Sequence, residues 1–133
     1  MTTRIPEEFF PFFDERSFAH IATLNPDGSP QVSPLWVERD GDEAVLVNTL
    51  EGRVKHRNLV ADPRVALSIH RESNPYAFVQ VQGRAELSVD EHEAHIHRLS
   101  QKYRGEPYAN LSPGDVRIVV RIIPDRVVGR ATT

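Results

Sequence analysis

The chain of 133 residues contains no cysteine, and it has only one methionine and one tryptophan. Without cysteine it can form neither a disulfide framework nor a thiolate zinc site, and it lacks a thiol nucleophile. No apolar run approaches the roughly 18 residues of a membrane-spanning helix, and the N-terminus lacks the basic and then apolar pattern of a signal peptide. We therefore expect a single cytoplasmic domain, residues 1–133, that is stabilised by its own core.

Charge is also limited, because 16 Lys and Arg residues against 19 Asp and Glu residues give a net charge of -3. This acidic balance argues against nucleic acid or an anionic membrane as a partner. The segment 51–71 differs, with five basic residues against two acidic ones. The basic residues are Arg53, Lys55, Arg57, Arg64 and Arg71. Such a local excess predicts a binding site for an anion.

Turn signals recur about every eight to twelve residues through the first two thirds of the chain, which is typical of all-β proteins. The predicted strands are 18–24, 31–39, 44–50, 65–70, 76–87, 116–123 and 126–128. The predicted helices are 6–16, 53–61 and 88–103. The last helix would begin with a capping box, the first three strands would form a meander, and Gly83 would permit a bend or bulge. This pattern predicts a mainly β fold, a small β-barrel with short helices.

The second predicted strand contains Pro34, which has no N–H for a sheet hydrogen bond. That strand is therefore predicted to lie at a sheet edge or at a bulge. Two interpretations of the nearby Trp36 remain open. In the first, Trp36 packs near a flat heteroaromatic ring that is bound beside unpaired backbone groups of the strand. In the second, Trp36 belongs to the core and Pro34 protects the edge of the sheet. The pattern by itself favours the second.

The junction between the third strand and the following helix carries Gly52, Arg53 and Lys55. An anion can bind at the start of a helix, where N–H groups are free and the helix dipole is positive. A glycine there lets the backbone approach the anion closely, and two cations would strengthen the binding. A solvated basic helix fits the same residues equally well, because no Walker-type spacing is present.

Other catalytic patterns are weak. His92 and His95 would share a helical face, but no third ligand follows at a recognisable spacing, so we expect no metal site. The carboxylates form no acid/base pair and Ser33 lies outside a nucleophile-elbow context. Hydrolase chemistry has little support, and no catalytic residue can be assigned.

Several segments, taken in order, resemble a known family. They are 21–36 (IATLNPDGSPQVSPLW), 52–59 (GRVKHRNL), 62–65 (DPRV) and 81–87 (VQGRAEL). Together they resemble the pyridoxamine 5'-phosphate oxidase-like split β-barrel family, and within it most of all the deazaflavin (coenzyme F-420)-dependent reductases of actinobacteria. The resemblance covers most of the chain.

The resemblance implies a homodimer of split barrels with a flavin-type cofactor in each of two grooves at the interface. A dimer also suits the chain length, because a monomer of this size buries only about two thirds of its unfolded surface. The tricyclic ring would be lined by Ser33, Pro34, Leu35, Trp36 and Val37. The linker or phosphate would contact Asn48 and Thr49, and the phosphate itself would be held by Arg53 and Lys55. The same anionic tail would also reach Arg57 and Asn58.

Two departures from the family pattern direct the functional prediction. Val54 separates Arg53 from Lys55, whereas the FMN oxidases that this segment resembles have adjacent Arg and Lys, which weakens an FMN assignment. The chain also ends soon after its last strand, without the extension that carries the vitamin-substrate residues of the true oxidases. We therefore do not expect oxidation of pyridoxamine phosphate.

The predicted function is that of an oxidoreductase in which reduced coenzyme F-420 transfers a hydride to an electron-poor small-molecule substrate. The acceptors expected from the resemblance include tetrapyrroles such as biliverdin and quinone-like compounds. The first alternative is an FMN-dependent oxidoreductase on the same fold. The second is a non-catalytic carrier of a flavin, deazaflavin or tetrapyrrole.

Overall fold

The computed structural model describes residues 1–132. Its strands are β1 (Ala19–Leu24), β2 (Pro30–Leu35), β3 (Glu38–Asp40), β4 (Ala44–Leu50), β5 (Arg64–Arg71), β6 (Asn74–Val89) and β7 (Arg117–Arg130). Its α-helices are α1 (Phe10–Asp14), α2 (Val54–Ala61) and α3 (Ala94–Arg104). One-turn 3-10 helices, Glu7–Phe9 and Glu91–Glu93, precede α1 and α3. All strand pairs are antiparallel, in the order β2-β1-β5-β6-β7-β4-β3.

The two outer strands of this sheet, β2 and β3, are joined by only Trp36 and Val37. The three Cα–Cα steps of this link reach at most about 11 Å. A flat sheet of seven strands would hold its edges about 29 Å apart, at about 4.8 Å per strand. The sheet must therefore curl until its edges approach each other. Within residues 1–132, β2 pairs only with β1 and β3 only with β4, so the two outer strands approach without pairing with each other. The result is a split β-barrel, which confirms the predicted fold class.

The predicted single strand 31–39 is wrong, because the chain leaves the sheet at Val37. The backbone N–H of Val37 donates to the hydroxyl of Tyr103 at 3.1 Å, and its carbonyl accepts from Lys102 Nζ at 2.6 Å. Side chains of α3 therefore replace the partner strand at this residue, and the predicted meander is interrupted there. The predicted edge position of Pro34 is confirmed, since it lies in the outer strand β2.

The bulge predicted at Gly83 is also confirmed. The pairing of β6 with β7 shifts between Gln82 and Gly83, and Asp125 is the extra residue on β7. A side chain at position 83 would collide with the carbonyl oxygen of Ile123. The predicted break between strands 116–123 and 126–128 does not occur, because a bulge tolerates the missing N–H of Pro124.

The predicted start of the third helix is wrong. The strand β6 continues to Val89, and α3 begins only at Ala94. The residue that caps the helix is Asp90, whose Oδ1 accepts the N–H of His95 at 2.8 Å and whose Oδ2 accepts the N–H of Ile96 at 2.9 Å. The helix therefore starts where this buried carboxylate binds its free N–H groups.

The barrel interior is filled by alternating apolar residues of the strands. They include Ile21, Val45, Val47, Leu67, Val79, Val81, Val120 and Ile122, each at most 3% exposed. Phe12 and Phe13 of α1 join the same core. None of the helices within residues 1–132 has the length and apolarity to cross a membrane.

Candidate functional site

A cavity of about 230 Å³ opens beside the end of β2, between β4, the start of α2 and the helix α3. It brings together six of the residues that the sequence predicts for cofactor binding. They are Pro34, Leu35, Trp36, Asn48, Arg53 and Lys55. Five further lining residues had not been predicted: Phe18, Ile96, Leu99, Tyr108 and Arg117. The cavity is therefore lined by both segments, strand two and the basic junction.

One side of the cavity is aromatic. Trp36 stacks on Tyr103 with ring centres 5.3 Å apart and planes inclined by 10°. Tyr108 meets the same indole edge-on at 6.1 Å. Trp36 is thus fixed by two aromatic neighbours yet remains partly exposed in the cavity. An indole held in this way can pack against a planar ring without first losing conformational freedom.

Another part of the cavity lining is cationic and consists of Arg53, Lys55 and Arg117. Burial lowers the pKa of Lys55, and the neighbouring charges of Arg53 and Arg117 lower it further. Burial likewise lowers the pKa of Arg117, with a contribution in the same direction from Arg53. None of the ion pairs formed among residues 1–132 involves these three side chains. The cluster is therefore a place where an anion would relieve mutual repulsion.

Behind this cluster lies a buried polar network centred on Asn48. Its Nδ2 donates to Asp90 Oδ2 at 3.0 Å and lies 2.9 Å from His95 Nδ1. Its Oδ1 accepts from Arg117 Nε at 3.0 Å. His95 is 4% exposed, and its Nε2 lies 3.0 Å from Glu38 Oε1. The network thus connects the cap of α3 to the cationic side of the cavity.

Five predicted site residues lie outside this cavity. Val37 and Thr49 are at most 1% exposed, and the hydroxyls of Ser33 and Thr49 are buried without a hydrogen-bond partner in the described part of the chain. Arg57 and Asn58 line a separate cavity of about 630 Å³ beside the turn that follows β1. There Asn58 donates to Thr23 and Asn25, each at 3.0 Å. Contacts of these five residues with a cofactor remain predictions.

The sequence matches the family model of pyridoxamine 5'-phosphate oxidase over residues 5–131. The chain belongs to this family. No curated protein sequence matches it.

Several solved structures share the fold of this chain. The chain is similar to an F420 reductase, with 31% identity and a TM-score of 0.82 over 93% of this chain and 98% of that one. It is similar to the conserved hypothetical protein Rv2991 of Mycobacterium tuberculosis, with 25% identity and a TM-score of 0.74 over 97% and 86% of the two chains. General Stress Protein 26 of Bacillus anthracis shares the fold, at 16% identity and a TM-score of 0.70 over 96% and 94%. The site is therefore carried by a fold that the chain shares with an F420 reductase.

The cavity residues fit a cofactor that combines a planar ring with a phosphate. The unneutralised cations suit the phosphate, and the partly exposed Trp36 suits the ring. Typical cofactor sites occupy about 300 to 1,000 Å³, more than this cavity provides. A single chain therefore encloses only part of such a molecule, and the remainder would lie along the exposed neighbours Pro34 and Phe18.

Proposed function

We propose that the chain is a cytoplasmic reductase that uses reduced coenzyme F-420 to reduce an electron-poor organic acceptor. The observation that carries the proposal is that the unpaired cation cluster, Arg53, Lys55 and Arg117, lines the same cavity as the partly exposed Trp36. The similarity to an F420 reductase supports the choice of the deazaflavin. When bound, the reduced deazaflavin supplies the hydride from its C5 carbon.

In this proposal the chain contributes binding and orientation. Arg53 and Lys55 hold the phosphate through charge-assisted hydrogen bonds, and Trp36 packs along the ring. Among the described residues that line the cavity, none is a carboxylate or an imidazole. We therefore assign to the chain the placement of donor and acceptor carbons and the exclusion of water, and we assign no residue to proton transfer.

We also propose that the active form is a homodimer joined through the outer face of the sheet. This face consists of the outward side chains of β2, β1, β5 and β6, continued by β7. Two paired rows cross it, Val32-Ala22-Ala66-Gln82-Arg126 and Pro34-His20-Ser68-Gln80-Val128. Apart from Arg126 at the β7 end of the first row, neither row contains an Asp, Glu, Lys or Arg residue. Val32 is 59% exposed and Val128 is 37% exposed, so a second copy would bury apolar surface here and extend the cavity.

Titration of the purified protein with oxidised F-420, and separately with FMN, tests the proposal. We expect saturable binding of F-420 that is weakened in Lys55→Ala and unchanged in Arg4→Ala, which removes an exposed arginine elsewhere. Bound reduced F-420 should then be oxidised when a tetrapyrrole or a quinone is added. Failure to bind F-420 would contradict the proposal.

FMN is the second candidate cofactor, because residues 5–131 match the pyridoxamine 5'-phosphate oxidase family. Tighter binding of FMN than of F-420 in the same titration, with a yellow protein on purification, would favour it. Binding of either coenzyme without oxidation by any acceptor would instead favour a carrier.

A further inference from the structure

Arg117 is the most deeply buried cation of the cavity. It lies at the first residue of β7, opposite Leu50 of β4, and is only 6% exposed. Its Nε donates to Asn48 Oδ1, and no other hydrogen bond of its side chain is formed within residues 1–132. The two terminal nitrogens therefore remain available, although the side chain lines the cavity and is almost withdrawn from bulk water. Neither terminal nitrogen is fully buried, so both open onto the cavity, where a bound anion can accept hydrogen bonds from them.

The position of Arg117 is set from two sides. On one side Asn48 holds Nε, and Asn48 is itself held by Asp90, the cap of α3. On the other side the guanidinium lies 5.2 Å from the ring centre of Tyr108. The backbone N–H of Tyr108 donates to His97 Nδ1 at 3.0 Å, which ties this loop to α3. The guanidinium is thus oriented in advance, which reduces the entropy lost when it binds a ligand.

Asn48 has little capacity left for a ligand. Its amide group faces Asp90 and His95, its oxygen accepts from Arg117, and the residue is 7% exposed. An amide without a free N–H cannot donate to a phosphate oxygen. We therefore assign Asn48 a role other than donation to the phosphate.

We propose that Arg117 is a third phosphate-binding residue of the site, beside Arg53 and Lys55, and that Asn48 is a positioning residue that orients it. The proposal rests on the proposed function, since the phosphate is that of the redox coenzyme. A guanidinium presents parallel N–H donors that match two phosphoryl oxygens, a geometry that a lysine cannot provide.

Paired ligands with and without phosphate test this proposal. The pairs are F-420 with its phosphate-free fragment 8-hydroxy-5-deazariboflavin, and FMN with riboflavin. We expect Arg117→Gln to weaken binding of the phosphate-bearing member of a pair by about 10- to 100-fold. The affinity for the phosphate-free member should stay within about 2-fold, which also shows that the variant is folded. Arg4→Gln is the matched control and should change neither affinity.

Asn48→Ala separates positioning from direct binding. We expect it to weaken binding of the phosphate-bearing ligand less than Arg117→Gln does, and to add no further loss in the double variant. Additive losses would show that Asn48 contacts the ligand itself and would overturn its positioning role.

The outcomes distinguish this inference from the proposed function. Equal affinity of wild type and Arg117→Gln for the phosphate-bearing ligand would overturn the inference alone. Equal losses for both members of a pair would overturn it as well, because they indicate a structural role. Failure of the wild type to bind either coenzyme would overturn the proposed function and the inference with it.

Discussion

At the scale of single residues, Glu38 connects the edge strand β3 to helix α3. Its side chain is 17% exposed and lies 3.0 Å from His95 Nε2 and 2.5 Å from Arg98 Nη2. Burial acts to raise the pKa of this carboxyl, but the contacts with His95 and Arg98 outweigh burial and lower the pKa to about 2. The ionised form is therefore favoured by folding.

This lowered pKa predicts a loss of stability in acid. The contribution of Glu38 is fully present above its ordinary pKa of 4.5 and disappears as the pH falls toward 2. Its full size is up to about 3 kcal/mol, at about 1.4 kcal/mol per pKa unit. Denaturant unfolding of Glu38→Gln at a series of pH values should show a shallower decline than wild type across this range. An equally shallow decline in Glu72→Gln, an exposed control, would contradict the assignment.

Arg53 and Lys55 carry the second prediction at this scale. Replacement of either by alanine should weaken cofactor binding by about 1 to 3 kcal/mol, the range for a charge-assisted contact. Arg53 is exposed and Lys55 is partly exposed, so thermal unfolding should change little. Calorimetric titration of both variants gives the affinities. Unchanged affinity in both would show that the phosphate binds elsewhere.

The sequence predicts residues of this site only where the signal is local. Gly52 indicates an anion site at the adjacent Arg53 and Lys55, and Pro34 indicates a sheet edge beside Trp36. The structure brings Trp36, Arg53 and Lys55 to one cavity. Arg117 lies 69 positions from Asn48, and no spacing in the sequence announces their hydrogen bond. The one signal in the sequence that could have pointed to Arg117 is its position directly before the buried β7 residue Ile118.

At the scale of elements, Gly83 allows β7 to approach β6 closely at the bulge between the two strands. Gly83→Ala would drive a Cβ into the backbone of β7, so we expect a loss of about 1 to 3 kcal/mol in the free energy of unfolding. Glu86→Ala, an exposed change on the same strand, should stay within about 0.5 kcal/mol. Urea unfolding compares the two variants, and equal stability would show that the bulge is not needed.

Element boundaries follow from the sequence where alternation is uninterrupted, as it is for Val79 and Val81 in β6. They fail where a distant side chain replaces a sheet partner. Val37 leaves the sheet because Lys102 and Tyr103 bond its backbone, and those residues lie in α3. The start of α3 is likewise set by Asp90, whose carboxylate is buried against Asn48.

At the scale of the whole molecule, the proposed dimer would complete a groove that one chain encloses only in part. Val32→Glu replaces an exposed apolar side chain of the outer face by a charge, so we expect it to convert a dimer into a monomer in light-scattering chromatography. Val60→Glu is the matched control, because Val60 is 65% exposed on α2 and lies outside that face. A wild-type protein that is monomeric at micromolar concentration would contradict the dimer.

A crystal structure of the protein with bound F-420 tests the central claim most directly. We expect the phosphate within about 3 Å of Lys55 Nζ and of a guanidinium nitrogen of Arg53, with the deazaflavin ring beside Trp36. A phosphate bound in the separate cavity beside Arg57, with Arg53 and Lys55 directed into solvent, would contradict it.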